Sequence, residues 1–244
     1  MSGGIKLSVI VPLYNEEKRF KEGFAHYYSY LKTLKDAWEL ILVNDGSTDK
    51  TLQLVSSSAK KNKSIKIVSY PKNHGKGYAI IQGIKIAKGR YVLFTDIDHS
   101  VDIQTMDKFY PYFEKGFKVV IASRRVKGAK IVVHQKPMRE CLGQGFTFLV
   151  NVIGVWGVKD ATCGFKAFDN KTAQRIINLV KVHSWAFDAE ILFICKKLKI
   201  PFAQVPVVWS DAKGSRVRLK RDILLSLMGL LKIRLNDLSG EYSS

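Results

Sequence analysis

Asp96 and Asp98, two carboxylates one residue apart after the apolar run Tyr91 to Thr95, are the sharpest chemical signal in the chain. If a strand continues through them, residues two apart point to the same side, so both carboxylates can face one cation. Oxygen ligands with open positions suit Mg2+ or Mn2+, which complete their shells with water and substrate phosphates. A lone D-x-D also occurs as a solvated turn, so its surroundings decide. Three more polar groups follow apolar runs: Pro12-Leu13-Tyr14-Asn15-Glu16, Asn44-Asp45-Gly46-Ser47-Thr48-Asp49 and Asn73-His74-Gly75-Lys76-Gly77. Ligands of open parallel sheets bind beyond the carboxyl ends of the strands. Four such ends on one edge would therefore surround one ligand. Asp45 has two readings: turn and helix-cap chemistry, or an acceptor for a nucleobase or ribose, with Asp49 as the cap. Asn73 to Gly77 reads as a weak phosphate loop, although it is neither a P-loop nor G-x-G-x-x-G.

The elements that must position these groups alternate regularly. Leu7 to Val11, Leu40 to Val43, Ile65 to Ser69, Tyr91 to Thr95 and Val119 to Ala122 read as buried strands. Between them, Glu16 to Leu34, a segment capped by Thr48 or Asp49 and running through Ser58, and Gly77 to Ala87 carry helical spacing. This alternation predicts an α/β fold with a mainly parallel sheet and helices on both faces. After Arg124 the pattern breaks into a basic, turn-rich segment to Arg139 and then an uncharged stretch, Cys141 to Val158. That stretch is too polar and glycine-rich to span a bilayer and reads as buried or interfacial. A strand or loop at Asp160 to Phe168, helices at Lys171 to Val180 and Ala186 to Leu198, a strand at Ala203 to Trp209 and a helix at Leu219 to Leu235 follow.

A formal charge of +19 on 244 residues calls for an anionic partner. A nucleic-acid-binding protein would explain the charge but not the acidic pair, and no nucleic-acid motif is present, so no nucleic acid is expected. Three well-separated cysteines suggest a reducing, cytosol-facing compartment. The N-terminus runs straight into the first strand, so neither a signal peptide nor a transmembrane helix is expected there. Near the other end, Arg216, Arg218, Lys220 and Arg221 precede the apolar run Ile223 to Leu231, and Lys232 and Arg234 follow it. This suits a helix lying on an anionic membrane surface, where each basic residue contributes about 1 kcal/mol. A core helix with basic flanks is the alternative.

Together P-L-Y-N-E, V-N-D-G-S-T-D, N-H-G-K-G-Y-A and D-I-D resemble the family-2 glycosyltransferases of the GT-A, Rossmann-like fold. D-A-T-C-G-F-K-A-F (160–168), W-A-F-D-A-E (185–190), V-P-V-V-W (205–209) and G-S-R (214–216) resemble the dolichyl-phosphate glucosyltransferases among them. The sequence has no internal repeat and no low-complexity linker, so a single domain is expected. Residues 5–123 would form a nucleotide-binding half, 124–218 an acceptor-side elaboration and 219–238 an interfacial helix. The resemblance implies that Pro12, Tyr14, Glu16, Asp45, Lys76, Asp96 and Arg216 bind a UDP-sugar donor. Asp96 and Asp98 would hold Mg2+ or Mn2+, and Asp98, Arg124, Arg139 and Asp160 would serve transfer to a dolichyl or polyprenyl phosphate with inversion. Such a phosphate is already an anion and needs no strong general base. It needs cations to hold it in line, a task for which arginine is suited. GDP-mannose is the competing donor. Asp160 would orient a sugar hydroxyl or a basic group, or else be the buried partner of Lys166 or an arginine. Asp188 is either a helix cap or a sugar contact. Arg125, Lys127, Lys130 and Lys136 read as solvated or lipid-facing, and Trp185 and Trp209 as core.

Overall fold

The computed structural model describes residues 4–60, 62–184, 186–212 and 219–243, with backbone alone over 219–222. Strands β1 (Leu7–Leu13), β2 (Trp38–Asp45), β3 (Ile65–Tyr70) and β4 (Tyr91–Phe94) are mutually parallel, with β1 central to the group. Helices α1 (Phe20–Thr33), α2 (Thr51–Ala59) and α3 (Lys76–Ile86) make the crossovers. β1 and β2 are buried on both faces, which is why their sequences read as unbroken apolar runs. Their side chains alternate between two cores. Val9, Val11, Leu40 and Leu42 pack with Phe20, Tyr27 and Leu31 of α1. Ile10, Ile41 and Val43 pack with Ile80 and Ile84 of α3.

The second half contributes α4 (Thr105–Glu114), β5 (Val119–Ser123), β6 (Lys130–Val133), α5 (Pro137–Val152), β7 (Lys166–Asp169), α6 (Asn170–Leu179), α7 (Phe187–Lys197), β8 (Phe202–Pro206), β9 (Val208–Ser210) and α8 (Leu219–Leu238). The main sheet runs β3-β2-β1-β4-β7-β5-β8, with β7 antiparallel to both neighbours. The mainly parallel, doubly covered sheet expected from the sequence is therefore present. Its first four carboxyl ends share one edge.

Several elements depart from expectation. The strand expected over Ala203 to Trp209 is two. β8 stays in the main sheet, and β9 pairs with β6 in a separate two-stranded sheet. Pro206 has no amide hydrogen with which to continue a ladder at that point. β6 itself lies inside the basic segment that reads as turns. α4 is a helix despite Pro111, because Met106, Phe109 and Phe113 bury one side of it. The uncharged stretch begins as α5, sixteen residues entered through Lys136 and Pro137. Proline is tolerated at such a first turn, where its missing amide hydrogen has no helical partner to lose.

Candidate active site

The strand-end loops are stitched to one another. Asn15 adopts a left-handed conformation (φ 54°), and its side-chain oxygen accepts from the amides of Thr48 at 2.7 Å and Asp49 at 3.3 Å. In return, the amides of Asn15 and Glu16 donate to Ser47 Oγ and Thr51 Oγ1. Asp49 accepts from the Thr51 amide at 2.9 Å, but the N-cap of α2 is Lys50, so neither Thr48 nor Asp49 is the cap expected from the sequence. Asp45 is 2% exposed, and its carboxylate accepts from Asn73 Nδ2 (2.7 Å) and the amides of His74 (2.8 Å) and Gly75 (2.9 Å). This differs from a direct nucleobase contact: three protein donors already engage the carboxylate, which shapes the Asn73 to Gly77 loop. Pro12 and Tyr14 stand at the end of β1, where Tyr14 is 40% exposed.

The acidic pair is assembled by a turn and not by strand alternation. β4 stops at Phe94, the Thr95 amide makes one last bond to the Ile10 carbonyl, and the Ser100 amide donates to Asp98 Oδ1. Ile97 is buried between the two carboxylates, and its carbonyl rests on Gly23 of α1. A Cβ there would lie 2.1 Å from that oxygen, so only glycine lets the helix come this close. Tyr27 donates its hydroxyl to the Asp96 carbonyl. Both carboxylates line a cavity of about 680 Å³.

Each carboxylate has a basic neighbour. Lys76 Nζ lies 2.6 and 2.9 Å from the two oxygens of Asp96. Arg19 makes two bonds to Glu16, at 2.6 and 2.7 Å, and reaches Asp98 only at 3.9 Å. Crowding by protein pushes the Asp96 carboxyl upward against the pull of Lys76, and Asp98 adds to the upward push. The amine of Lys76 is held above its ordinary range because the attraction of Asp96 and Asp188 outweighs desolvation. Gly164 backs the pair: a Cβ there would stand 2.1 Å from Asp96 Oδ2 and 3.0 Å from Lys76 Nζ.

Three arginines, Arg124, Arg125 and Arg139, line the same cavity. Arg124 and the fully buried Asp160 form a two-pronged pair at 2.7 and 2.8 Å, with a third bond from the Arg124 amide at 3.0 Å. Thr162 Oγ1 accepts from the same guanidinium, which also stacks on Trp209 at 5.2 Å. Desolvation opposes the charge on Asp160, but the hydrogen bonds and charge of Arg124 hold its carboxyl below the usual range. Of the alternatives open for Asp160, the structure displays the buried partner of an arginine. Lys166 instead serves Asp188, at 2.6 Å, while also donating to the carbonyls of Cys163 and Ala161. Asp188 is thus not a helix cap, and it borders the cavity.

Arg139, on the first turns of α5, borders the cavity with no side-chain partner among the described residues. Arg125 borders it too, instead of facing solvent, and its Nε is buried without a partner. Lys127, Lys130 and Lys136 are exposed. Arg216, the G-S-R loop and Trp185 lie outside the described residues.

The cavity has an apolar part as well. Leu142, Phe146, Phe148 and Leu149 of α5 and Ile223 and Leu227 of α8 line it too. Both helices also expose apolar side chains: Met138, Phe148 (67%) and Val152 on α5, and Leu224, Leu227, Met228, Leu231 (62%), Leu235 and Leu238 on α8. Leu230 and Ile233 of α8 are buried in the core, so the helix has two apolar faces. No helix among the described residues is long and apolar enough to cross a membrane.

Sequence reasoning did not single out Arg19, Thr162 or the Lys166–Asp188 pair, and it set Arg125 aside. Arg19 carries a local signal, because it follows Glu16 at the spacing of a helical ion pair. Arg125 is adjacent to Arg124. The Lys166–Asp188 pair has no local signal at all, since its partners come from β7 and α7.

The family model for glycosyl transferase family 2 matches residues 8–177. The dolichyl-phosphate beta-glucosyltransferase of Dictyostelium discoideum is 34% identical, over 94% of this chain and 77% of that protein. The enzymes of that name from Homo sapiens and Saccharomyces cerevisiae are 33% and 31% identical, covering 97% and 98% of this chain and 77% of each relative. Among solved structures, glucosyl-3-phosphoglycerate synthase from Mycobacterium tuberculosis, in complex with Mn2+, UDP and glucosyl-3-phosphoglycerate, aligns with a TM-score of 0.69. The identity is 19%, over 94% of this chain and 80% of that one, a likeness of GT-A fold. The same synthase has been crystallised with Mg2+ and UDP. With this match over most of its length and these relatives, the chain belongs to glycosyltransferase family 2, within the dolichyl-phosphate beta-glucosyltransferases.

Proposed function

We propose that this glycosyltransferase passes glucose from UDP-glucose to the phosphate of dolichol or a related polyprenol at a membrane surface, with inversion at the anomeric carbon. The observation that carries the reading is the single cavity in which the acidic pair, the arginines and two apolar helices meet. Asp96 and Asp98 fit a hard divalent cation: both supply oxygen, and 40% of the Asp96 side chain remains open. Among the described residues, no group of three His, Cys, Asp or Glu side chains closes a metal site. The remaining positions then suit diphosphate oxygens and water. A bound Mg2+ or Mn2+ would offset the charge of the departing UDP.

The protein's own groups divide the rest of the work. Lys76 and the edge loops carrying Pro12, Tyr14, Glu16 and Asp45 hold the donor. Arg139 is available to take the incoming phosphate through its planar fork, and Arg124 is fixed beside it. Asp160, with no exposure, acts through Arg124 as a positioning residue. Asp188, with one oxygen held by Lys166, presents the other to sugar hydroxyls. The phosphate monoester attacks as an anion, so no side chain has to take a proton from it first.

Residues 5–123 form the donor half of one domain, 124–218 the acceptor half and 219–238 the interfacial helix. α8 and α5 lie in the plane of an anionic membrane, with their apolar stripes in lipid and Lys136, Lys232 and Arg234 among the headgroups. Free cysteines at positions 141, 163 and 195 support a cytosol-facing location. Two variants test the division of labour. Asp98→Ala should abolish turnover while leaving the thermal midpoint in place. Arg139→Ala should raise the KM for lipid phosphate at least tenfold while leaving UDP affinity unchanged. Normal turnover in the first, or unchanged acceptor KM in the second, would contradict the assignment.

A further inference from the structure

The two carboxylates of the acidic pair are not equally charge-paired. Arg19 is committed to Glu16 by two bonds and stands 3.9 Å from Asp98, so Asp98 is only lightly engaged. Asp96 stays open to the cavity over 40% of its side chain, yet its charge is paired at contact, because Lys76 bonds to both of its oxygens. Gly164 packs against both groups, with no room for even a methyl group, and Lys76 and Asp96 both line the cavity into which the ammonium can move. Lysine is suited to such a move. Its charge is a compact point on a flexible stem, a quarter of this side chain is exposed, and its helix begins at the phosphate-loop glycines.

We propose that Lys76 is a counter-ion that masks Asp96 until a diphosphate draws it away, so that the divalent cation and the nucleotide bind as one coupled event. This rests on the metal and donor reading given above. Without nucleotide, a cation approaching the pair meets one carboxylate with no basic side chain among the described residues closer than 3.9 Å and one whose charge is already cancelled at contact distance. A diphosphate brings an anion that Lys76 can follow, and the same movement exposes Asp96 to the cation. By linkage, the gain that nucleotide gives to the cation equals the gain that the cation gives to nucleotide. The device would keep the acidic pair neutralised between turnovers. It would also make the complete donor site appear only when UDP-sugar is present.

The test is Mn2+ binding to the whole chain, read from the free-ion electron paramagnetic resonance signal with no addition, with uridine and with UDP. In the wild type, UDP should tighten Mn2+ binding at least tenfold and uridine should not, because only UDP carries the diphosphate. With each reading corrected for the Mn2+ that UDP alone chelates, Mn2+ without nucleotide should bind Lys76→Met about three- to tenfold more tightly than the wild type, and UDP should add correspondingly less than it adds to the wild type. Lys76→Arg, which keeps the charge, should leave Mn2+ binding in the absence of UDP at the wild-type level and guards against misfolding of the methionine variant. Lys85→Met removes an equal charge from the exposed side of α3 and should change neither value. Mn2+ affinity in Lys76→Met that is unchanged or weaker without UDP, or a UDP gain equal to that of the wild type, overturns the masking role alone. A wild type that binds no Mn2+ under any condition overturns the metal reading together with it.

Discussion

The buried pair between Arg124 and Asp160 gives the sharpest link between structure and stability. Asp160 is fully buried and accepts three bonds from Arg124, whose side chain is only 12% exposed. Removing one member of such a pair strands the other charge away from water, at a cost of about 3–5 kcal/mol. Asp160→Ala should therefore lower Tm by roughly 6–20 °C in a chain of this size. Replacing both charges removes the stranded group, so Arg124→Met with Asp160→Leu should recover most of the lost stability. It should not recover transfer, because the cation is gone. The pH dependence follows from the sign of the shift. The Asp160 carboxyl titrates lower when folded than when unfolded, so its contribution is complete above the ordinary carboxylate range, near pH 4. It is lost as pH falls through the lower folded value. The gap between wild type and Asp160→Ala should then narrow on acidification. Thermal unfolding followed by circular dichroism at pH 7 and pH 3 measures all of this. A single variant within 2 °C of wild type at pH 7, or a double variant less stable than either single one, would refute the reasoning.

Three other outcomes are expected. Lys166→Met should lower Tm by a similar amount, because it leaves Asp188 half-paired at the cavity wall; adding Asp188→Asn should restore stability, and an unchanged midpoint in the single variant would count against the pair. Gly164→Ala places a Cβ 2.1 Å from Asp96 Oδ2, so Mn2+ binding in the presence of UDP should weaken at least tenfold, and unaltered binding in calorimetry would show that the backbone there has slack. Phe148→Glu with Leu231→Glu changes side chains that are already 67% and 62% exposed, so the fold should hold within about 0.5 kcal/mol per site. Sedimentation with anionic vesicles should nevertheless fall at least a hundredfold, since each side chain contributes about 1.5–3 kcal/mol when buried in lipid. Co-sedimentation at the wild-type level would remove the membrane face.

The donor half was the most legible part of the sequence. β1, β2 and β4 are buried, and that condition writes itself as apolar runs ending in polar residues at one edge. β3, expected to be buried, is instead the edge strand, where only Ile65 is buried. What failed there was local. Asp96 and Asp98 meet through a turn, because β4 gives up its pairing with β1 one residue after Phe94, and no periodicity reports such an exit. The acceptor half was harder because its order comes from tertiary contacts. Pro111 hides α4. β6 gains its partner only when β9 leaves the main sheet. Arg124 finds Asp160 across 36 positions and Lys166 finds Asp188 across 22, so the choice among candidate partners could not be made from spacing. α8 shows a different limit. Its two apolar faces, one on the core and one outward, give the same sequence as a helix buried throughout, and only the fold tells the faces apart.

Transfer itself is the most direct test of the proposed activity. Purified protein is incubated with radiolabelled UDP-glucose, GDP-mannose or UDP-N-acetylglucosamine, each with dolichyl phosphate and Mn2+ or Mg2+, and label is followed into the lipid phase. UDP-glucose should yield a β-linked glucosyl phospholipid that disappears in Asp98→Ala. Label from GDP-mannose alone would contradict the donor assignment, and no lipid-phase label from any donor would contradict the proposed transfer altogether.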